Sequence, residues 1–557
     1  MREDVDELLF VPLGGLGEIG MNLSLYGLGP KGNRKWLMVD CGVTFAGPQE
    51  AGIDIIVPDP RFIGQIQRDL VGGIITHAHE DHIGAIADLW PWLNCPLYAT
   101  PFAAGLFEMR VLKEAGAPDI RMKTVQQGTR LALDPFDVEF IPVAHSIPEA
   151  CALAIRTRLG TVLHTGDWKI DPQPGIGALT DVRRLMEIGD EGVLALVCDS
   201  TNILRDGVSP SEGEVAKTLH EVIKAARGRV VVTTFASNVA RLRAVALAAS
   251  AAQRKVVLVG RAMERVVAVA RDCGYLEDVP PFLSAEAFSS LPRDEIVVLA
   301  TGSQGENRAA IARISEDEHP VVKLAPGDSV IFSSRTIPGN ERDVGRIINN
   351  LIKQGIEVIT DRMALIHASG HPRRDEVAQF HKWIRPKIVI PAHGEEVHLN
   401  EHARLATRWG AEHVVKAHDG DVVQLAPGAP GIVDEAPTGR LCKDGNTLVP
   451  IGDESLRMRQ KLAFSGIVTV ALAVDRKGEM VGVPDVILAG LPAKTGASGA
   501  KLDEVVDDAL FQTFEGLPRP QRRDANLVSG AIEKAVRNAV QGAWGKRPAV
   551  HVLVIEV

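Results

Sequence analysis

Four candidate metal ligands crowd into six consecutive positions, His77, His79, Asp81 and His82, within the string THAHEDHIGA. An apolar run, GGIIT, leads into this string, so the ligands leave the end of a strand. Side chains alternate along a strand, which points His77 and His79 the same way. Asp81 and His82 then turn to face a neighbouring position. A single buried histidine is ordinarily a satisfied core residue. Four ligands in one loop, in a chain with only 16 histidines, require another explanation. Imidazole and carboxylate suit zinc, and manganese is also accepted. The remaining ligands are expected at other strand ends. His145 closes VEFIPVAHS, Asp167 closes TVLHTGDWK and His393 closes KIVIPAHGE, with Asp167 placed to bridge two metals.

The chain has 557 residues, more than one core supports, so two or three domains are expected. Residues 8–200 read as short strands with two helical stretches, 83–93 and 102–116. From Val208 the rhythm becomes alternating helix and strand (SEGEVAKTLHEVIKAARG, RVVVTTF, KVVLVG, EIVVLATGS, SVIFSS), the pattern of a parallel α/β unit. Near His367 the earlier style resumes, so the middle unit is inserted. The expected domains are 1–207 and 366–425 for the interrupted first domain, 208–365 for the insert, a Pro/Gly-rich linker at 426–448, and a small C-terminal α/β domain at 449–557. That last domain contains helices at 502–511 and 525–540 and no cluster of metal ligands.

Net charge is −10, which argues against a simple basic nucleic-acid binder. The charge is uneven, however. Residues 208–366 carry 20 Lys+Arg and 19 Asp+Glu, so the rest of the chain is left at −11. Six scattered cysteines without a CxxC pair fit reduced thiols in a cytoplasmic protein. Neither a secretory signal nor a membrane-length apolar run is apparent. The segment from Gly15 to Gly20 matches GxGxxG with Asp40 downstream, the dinucleotide-binding pattern. That pattern requires a helix next, and MNLSLYGL alternates like a strand, so a tight loop near the active site is expected instead.

THAHEDHIGA, AHS, TGDWK and PAHGE resemble the metallo-β-lactamase signature. The resemblance implies an αββα sandwich with the site on one sheet edge. It further implies that His77, His79, His145 and Asp167 hold one metal, that Asp81, His82, Asp167 and His393 hold the other, and that Asp40 orients ligand histidines from behind. Two such metals suit phosphodiester cleavage, but equally lactams, thioesters and lactones.

VCDSTN, TGSQGE and HASGHP resemble the motifs of β-CASP nucleases, and GGLGEIGMN, TFASN, GRAM and HASGH resemble the ribonuclease J group within them. The resemblance runs from about Leu8 to about Leu425 and is looser beyond. It implies RNA cleavage in 5′-to-3′ direction from a 5′-monophosphate end, with internal cleavage as a second activity, in RNA decay and in rRNA and mRNA processing. Asp199 is the expected proton-exchanging or orienting carboxylate, and His371 the proton-transfer group near the leaving oxygen. His367, Ala368, Ser369, Gly370 and His371 are expected to grip the scissile phosphate. Ser237 and Asn238, at a helix start, are expected in a 5′-phosphate pocket with Arg261 adding charge. A homodimer or homotetramer through the C-terminal domain, single-stranded RNA as substrate and a helicase as decay partner complete the expectations. The competing readings are a β-CASP endonuclease for RNA 3′ ends or tRNA, a small-molecule hydrolase, and a non-enzymatic RNA-binding subunit.

Overall fold

The computed structural model describes residues 5–111, 116–495 and 499–557. Contacts divide the chain into two compact units, one comprising Met1–Thr44 and Val57–Gly439, the other Phe45–Ile56 and Arg440–Val557.

The first unit is built on two facing sheets. One has eight strands, with Glu7–Gly14, Leu23–Gly29, Lys35–Val39 and Leu70–Ile74 at its centre. The other has seven, among them Phe136–Pro142, Cys151–Thr157, Gly160–His164, Ala195–Asp199 and Ile388–Ala392. Phe10, Tyr26, Leu37, Val39 and Ile74 of the first meet Phe140, Leu153, Ile155, Val197 and Ile390 of the second in one buried core. On the far side of the second sheet, Leu163 and Leu196 pack against Leu185 and Ile188 of the helix Val182–Glu191 and against Val377 and Phe380 of the helix Arg374–Ile384.

The ligand-bearing ends come together for a topological reason. Phe136–Pro142 and Gly160–His164 are both antiparallel to the strand between them, so they run the same way. Gly160–His164, Ala195–Asp199 and Ile388–Ala392 are parallel to one another. The positions after Pro142, His164, Asp199 and Ala392 therefore open at one edge. Asp40 and the His77 loop follow a second pair of parallel strands, Lys35–Val39 and Leu70–Ile74.

Between Ala195–Asp199 and Ile388–Ala392 lies the inserted unit. Its five strands are all parallel, in the order Lys255–Val259, Ile296–Ala300, Val230–Thr233, Ser329–Phe332, Glu357–Ile359. Val231, Val257, Val298 and Val330 anchor their own core. After GxGxxG comes the strand Leu23–Gly29 and no helix.

Several boundaries differ from the sequence reading. The stretch 83–93 is split into Glu80–Ile83 and Ile86–Leu93, with Gly84 between, where a Cβ would meet the Glu80 carbonyl oxygen at 2.4 Å. The helix expected over 102–116 spans Pro101–Val111, and residues 112–115 lie outside the described residues. The expected linker holds strands at Gly431–Glu435, Arg440–Asp444 and Thr447–Pro450. Pro and Gly there mark turns between short paired strands. Gly431–Glu435 is an edge strand of the eight-stranded sheet, and the other two form a hairpin in the second unit. The C-terminal sheet, in the order Met480–Ala489, Ile467–Val474, Ala549–Glu556, is covered on one face by the helices Leu502–Gly516 and Ala525–Trp544. Both helices run past their expected ends.

Candidate metal centre

Three groups of ligand atoms converge at the sheet edge: His77, His79, His145 and Asp167; Asp81, His82, Asp167 and His393; and Asp167, Asp199, His371 and His393. All seven sequence-expected metal ligands fall in the first two. Asp167 belongs to all three.

In the first group, His77 Nε2 and His145 Nε2 each lie 3.1 Å from His79 Nδ1. The outward nitrogens fix the protons. His145 Nδ1 donates to the Gly370 carbonyl at 2.7 Å. Thr76 Oγ1 donates to Asp40 Oδ2 at 2.8 Å, which leaves it to accept from His77 Nδ1 at 3.0 Å. The inward nitrogens of His77 and His145 are thus lone pairs. His79 Nδ1 can offer one proton to one of them, leaving the other contact repulsive. Burial keeps these rings neutral, with His77 and His145 held well below the ordinary imidazole value and His79 lowered to about 4. Neutral imidazole lone pairs converging on one point form a cation's donor set.

The second group concentrates negative charge. His393 Nε2 is 3.2 Å from Asp81 Oδ2, and His82 Nε2 is 3.3 Å from Asp167 Oδ2. Asp167 is buried, and its Oδ1 has no hydrogen-bond partner among the described residues. Burial opposes a charged ring, yet Asp167, Asp199 and Asp81 carry His393 up to about 10. Both observations fit a site built for cations.

Behind the ligands, Asp40 accepts from Thr76 N at 2.7 Å and from His82 Nδ1 at 2.7 Å. Its φ of 60° is left-handed, as is that of His393 at 50°. Non-glycine residues rarely adopt this conformation, and it concentrates at functional sites. Gly42 permits the turn, since a Cβ there would lie 1.7 Å from the Asp81 carbonyl oxygen.

His371 Nδ1 donates to Asp199 Oδ2 at 2.8 Å, and its ring stacks on His393 at 5.3 Å. Burial works against charging His371, but Asp199 and Asp167 outweigh it and raise its pKa.

The remaining HASGH residues are structural neighbours of this pair. His367 is in none of the three ligand groups; burial, then Arg241 and Arg335, hold its ring well below the ordinary value. The Ser369 hydroxyl accepts from Asn202 Nδ2 at 2.8 Å. Ala368 is buried, and a Cβ on Gly370 would strike His145 Cε1 at 2.6 Å. Close packing accounts for the small side chains at Ala368 and Gly370.

Ser237 Oγ lies 3.2 Å from His79 Nε2, at the centre itself. Asn238 is the helix cap: its side chain accepts from Arg241 N at 2.9 Å and its amide faces Glu212 Oε1 at 3.3 Å. The residue is buried, with its oxygen spent on the cap and one amide proton directed at Glu212. Arg261 is exposed at the start of its helix, Arg261–Asp272.

Sequence reasoning missed Asn22, whose Nδ2 is 3.0 Å from His82 Nε2, and Thr201, whose Oγ1 is 2.7 Å from His393 Nδ1. Both sit inside motifs already singled out, GGLGEIGMN and VCDSTN.

Residues 25–228 match the metallo-beta-lactamase superfamily, 227–351 the ribonuclease J beta-CASP domain, 355–417 the Zn-dependent metallo-hydrolase RNA specificity domain and 454–557 the ribonuclease J C-terminal domain. Ribonuclease J of Sinorhizobium meliloti is 50% identical over 100% of this chain and 98% of its own length. The chain belongs to the ribonuclease J family. The ribonuclease J of Mycolicibacterium smegmatis is 37% identical over 98% of this chain and 96% of its own. A crystal structure of an Enterococcus faecalis protein of unknown function covers 75% of the chain and 100% of its own, with a TM-score of 0.54 and 16% identity, and shares the fold. As a ribonuclease J family member, the chain is a metal-dependent ribonuclease. Its metallo-β-lactamase αββα sandwich carries an inserted β-CASP domain and a C-terminal α/β domain. No helix among the described residues is long and apolar enough to cross a membrane.

Proposed function

We propose that the chain hydrolyses single-stranded RNA 5′ to 3′ from a 5′-monophosphate end, using two divalent ions, zinc or manganese. His77, His79, His145 and Asp167 hold one, and Asp81, His82, Asp167 and His393 the other. The supporting observation is the convergence of both sets on the buried Asp167, with the Asp199–His371 pair at their border. Two ions held there would supply Lewis-acid activation of water and of the scissile phosphate. The chain's own groups do the rest. Asp199 holds the Nδ1 proton of His371, which leaves Nε2 to exchange a proton with the leaving oxygen. Asp40 and Thr76 keep the His82 and His77 rings oriented.

The exonuclease direction has support in Ser237. Its hydroxyl is 3.2 Å from His79 Nε2, so a terminal phosphate held by Ser237 lies within one nucleotide of the metals. Arg261 supplies charge to that end. Internal cleavage is the second activity of the same site. A dimer or tetramer through the C-terminal domain has support in Val483, Ile487, Leu553 and Ile555, apolar side chains exposed on its sheet strands.

The test uses one RNA carrying a 5′-monophosphate, triphosphate or hydroxyl, with zinc or manganese and a His79→Ala control. Rapid release of mononucleotides from the monophosphate RNA alone is expected. Identical internal fragments from all three ends would make the chain an endonuclease.

A further inference from the structure

The turn leaving the strand Ala195–Asp199 sends four consecutive side chains to four targets. Asp199 Oδ2 accepts from His371 at 2.8 Å. Ser200 Oγ lies 2.8 Å from His402 Nδ1, and Asn202 Nδ2 donates to Ser369 Oγ at 2.8 Å. Thr201 Oγ1 meets His393 Nδ1 at 2.7 Å. We infer that Thr201 is a positioning residue, whose hydroxyl fixes the ring and tautomer of His393 so that Nε2 is the nitrogen offered to the second cation. The inference rests on the two-ion reading of the centre.

A threonine hydroxyl has one proton and two lone pairs. The carbonyl oxygen of His393 is 3.1 Å from Thr201 Oγ1 and takes that proton. In the neutral ring that a cation requires, a lone pair then accepts from His393 Nδ1–H and Nε2 is left bare. It faces Asp81 Oδ2 at 3.2 Å, a lone pair beside a carboxylate, which together make the donor pair a cation would take. The alternative partners for Nδ1 are Asp199 Oδ1 at 3.6 Å and Asp167 Oδ1 at 3.7 Å, both beyond hydrogen-bond length. Without the hydroxyl, no group among the described residues lies within bonding distance to hold the proton on Nδ1. The ring is then free to offer either nitrogen.

His393 also needs holding for a backbone reason. Its φ of 50° is left-handed, and the Thr201 hydroxyl grips both its ring and its carbonyl. Thr201 N donates separately to Asp199 Oδ1 at 2.8 Å. That backbone bond survives any side-chain change, so substitution isolates the hydroxyl.

The test compares wild type, Thr201→Val and Thr201→Ser, stripped with chelator and titrated with Zn²⁺ against a chromophoric competitor. Thermal melts of the stripped proteins accompany the titrations. The wild type should take two equivalents. Thr201→Val should keep the first and bind the second about tenfold or more weakly, while Thr201→Ser restores it, with all three melting alike when stripped. Wild-type affinity for the second equivalent in Thr201→Val overturns the inference, as does a serine variant as weak as valine. Loss of both equivalents together with a lowered melting temperature makes the role structural and also overturns it. A wild type that binds one equivalent only sinks the two-ion reading itself.

Discussion

Ser237 Oγ of the inserted domain sits 3.2 Å from Nε2 of His79, a ligand candidate carried by the sandwich. The insert therefore reaches the candidate metal centre directly. Ser237→Ala should reduce the preference for 5′-monophosphate over 5′-hydroxyl RNA about tenfold in kcat/KM, a loss of about 1.4 kcal/mol. Steady-state rates on the two RNAs decide. An equal fall on both would assign the hydroxyl to orienting His79 and remove it from the 5′-phosphate pocket.

Asp167 is common to every ligand group. Asp167→Asn keeps its shape and removes its charge, so both equivalents of bound metal should weaken together and activity should fall by more than about 100-fold. Metal analysis after dialysis is the check. Retention of both ions would show that the two groups do not share this carboxylate.

Arg241 is completely buried and bonds Glu212 through two nitrogens as well as the carbonyls of Ser333 and Ile366. Glu212→Gln leaves a buried guanidinium without its counter-charge and should cost about 3 kcal/mol. Replacing both residues with apolar ones of similar size should cost less. Urea unfolding of the two variants measures the difference, and equal losses would contradict the ion-pair account.

Acid should destabilise the fold before it protonates the carboxylates. Burial lowers His164 to about 4 and His402 to about 4, and holds His381 well below its ordinary value. Unfolded, each titrates near about 6.5. The unfolded chain therefore binds more protons in this interval, and stability falls as pH drops from about 6.5 toward 4. Each histidine contributes a slope of about 1.4 kcal/mol per pH unit. Melts of the stripped protein at stepwise lower pH test this; a flat profile from 7 to 5 would refute it.

If copies of the chain associate through the C-terminal sheet, Ile487→Asp with Leu553→Asp should yield a monomer by light scattering. Both side chains are more than half exposed, so the fold should survive. An unchanged oligomer would move the interface elsewhere.

The sequence was legible where chemistry is local. The ligand loop, the strand ends at His145, Asp167 and His393, and the interruption by a parallel α/β unit all follow from residue type and periodicity. Contacts between distant strands were not legible. Thr201 and Asn22 become visible as partners of His393 and His82 only once the edges close. The capping role of Asn238 was not separable from a phosphate-binding one, because both share one sequence pattern, a polar residue at a helix start. The strands inside 426–448 were hidden because Pro and Gly mark hairpin turns and linkers alike.

The pairing of Ala195–Asp199 with Ile388–Ala392 sets an order of events during synthesis. Residue 195 leaves the ribosome long before its partner at 388 exists, and the whole insert must be made in between. His371 and His393 also arrive after it. A growing chain has no complete ligand set until residue 393 has been added. By this arrangement the centre cannot form until 393 of the 557 residues have been added, so an RNA-degrading enzyme stays inert while most of its own message is being read.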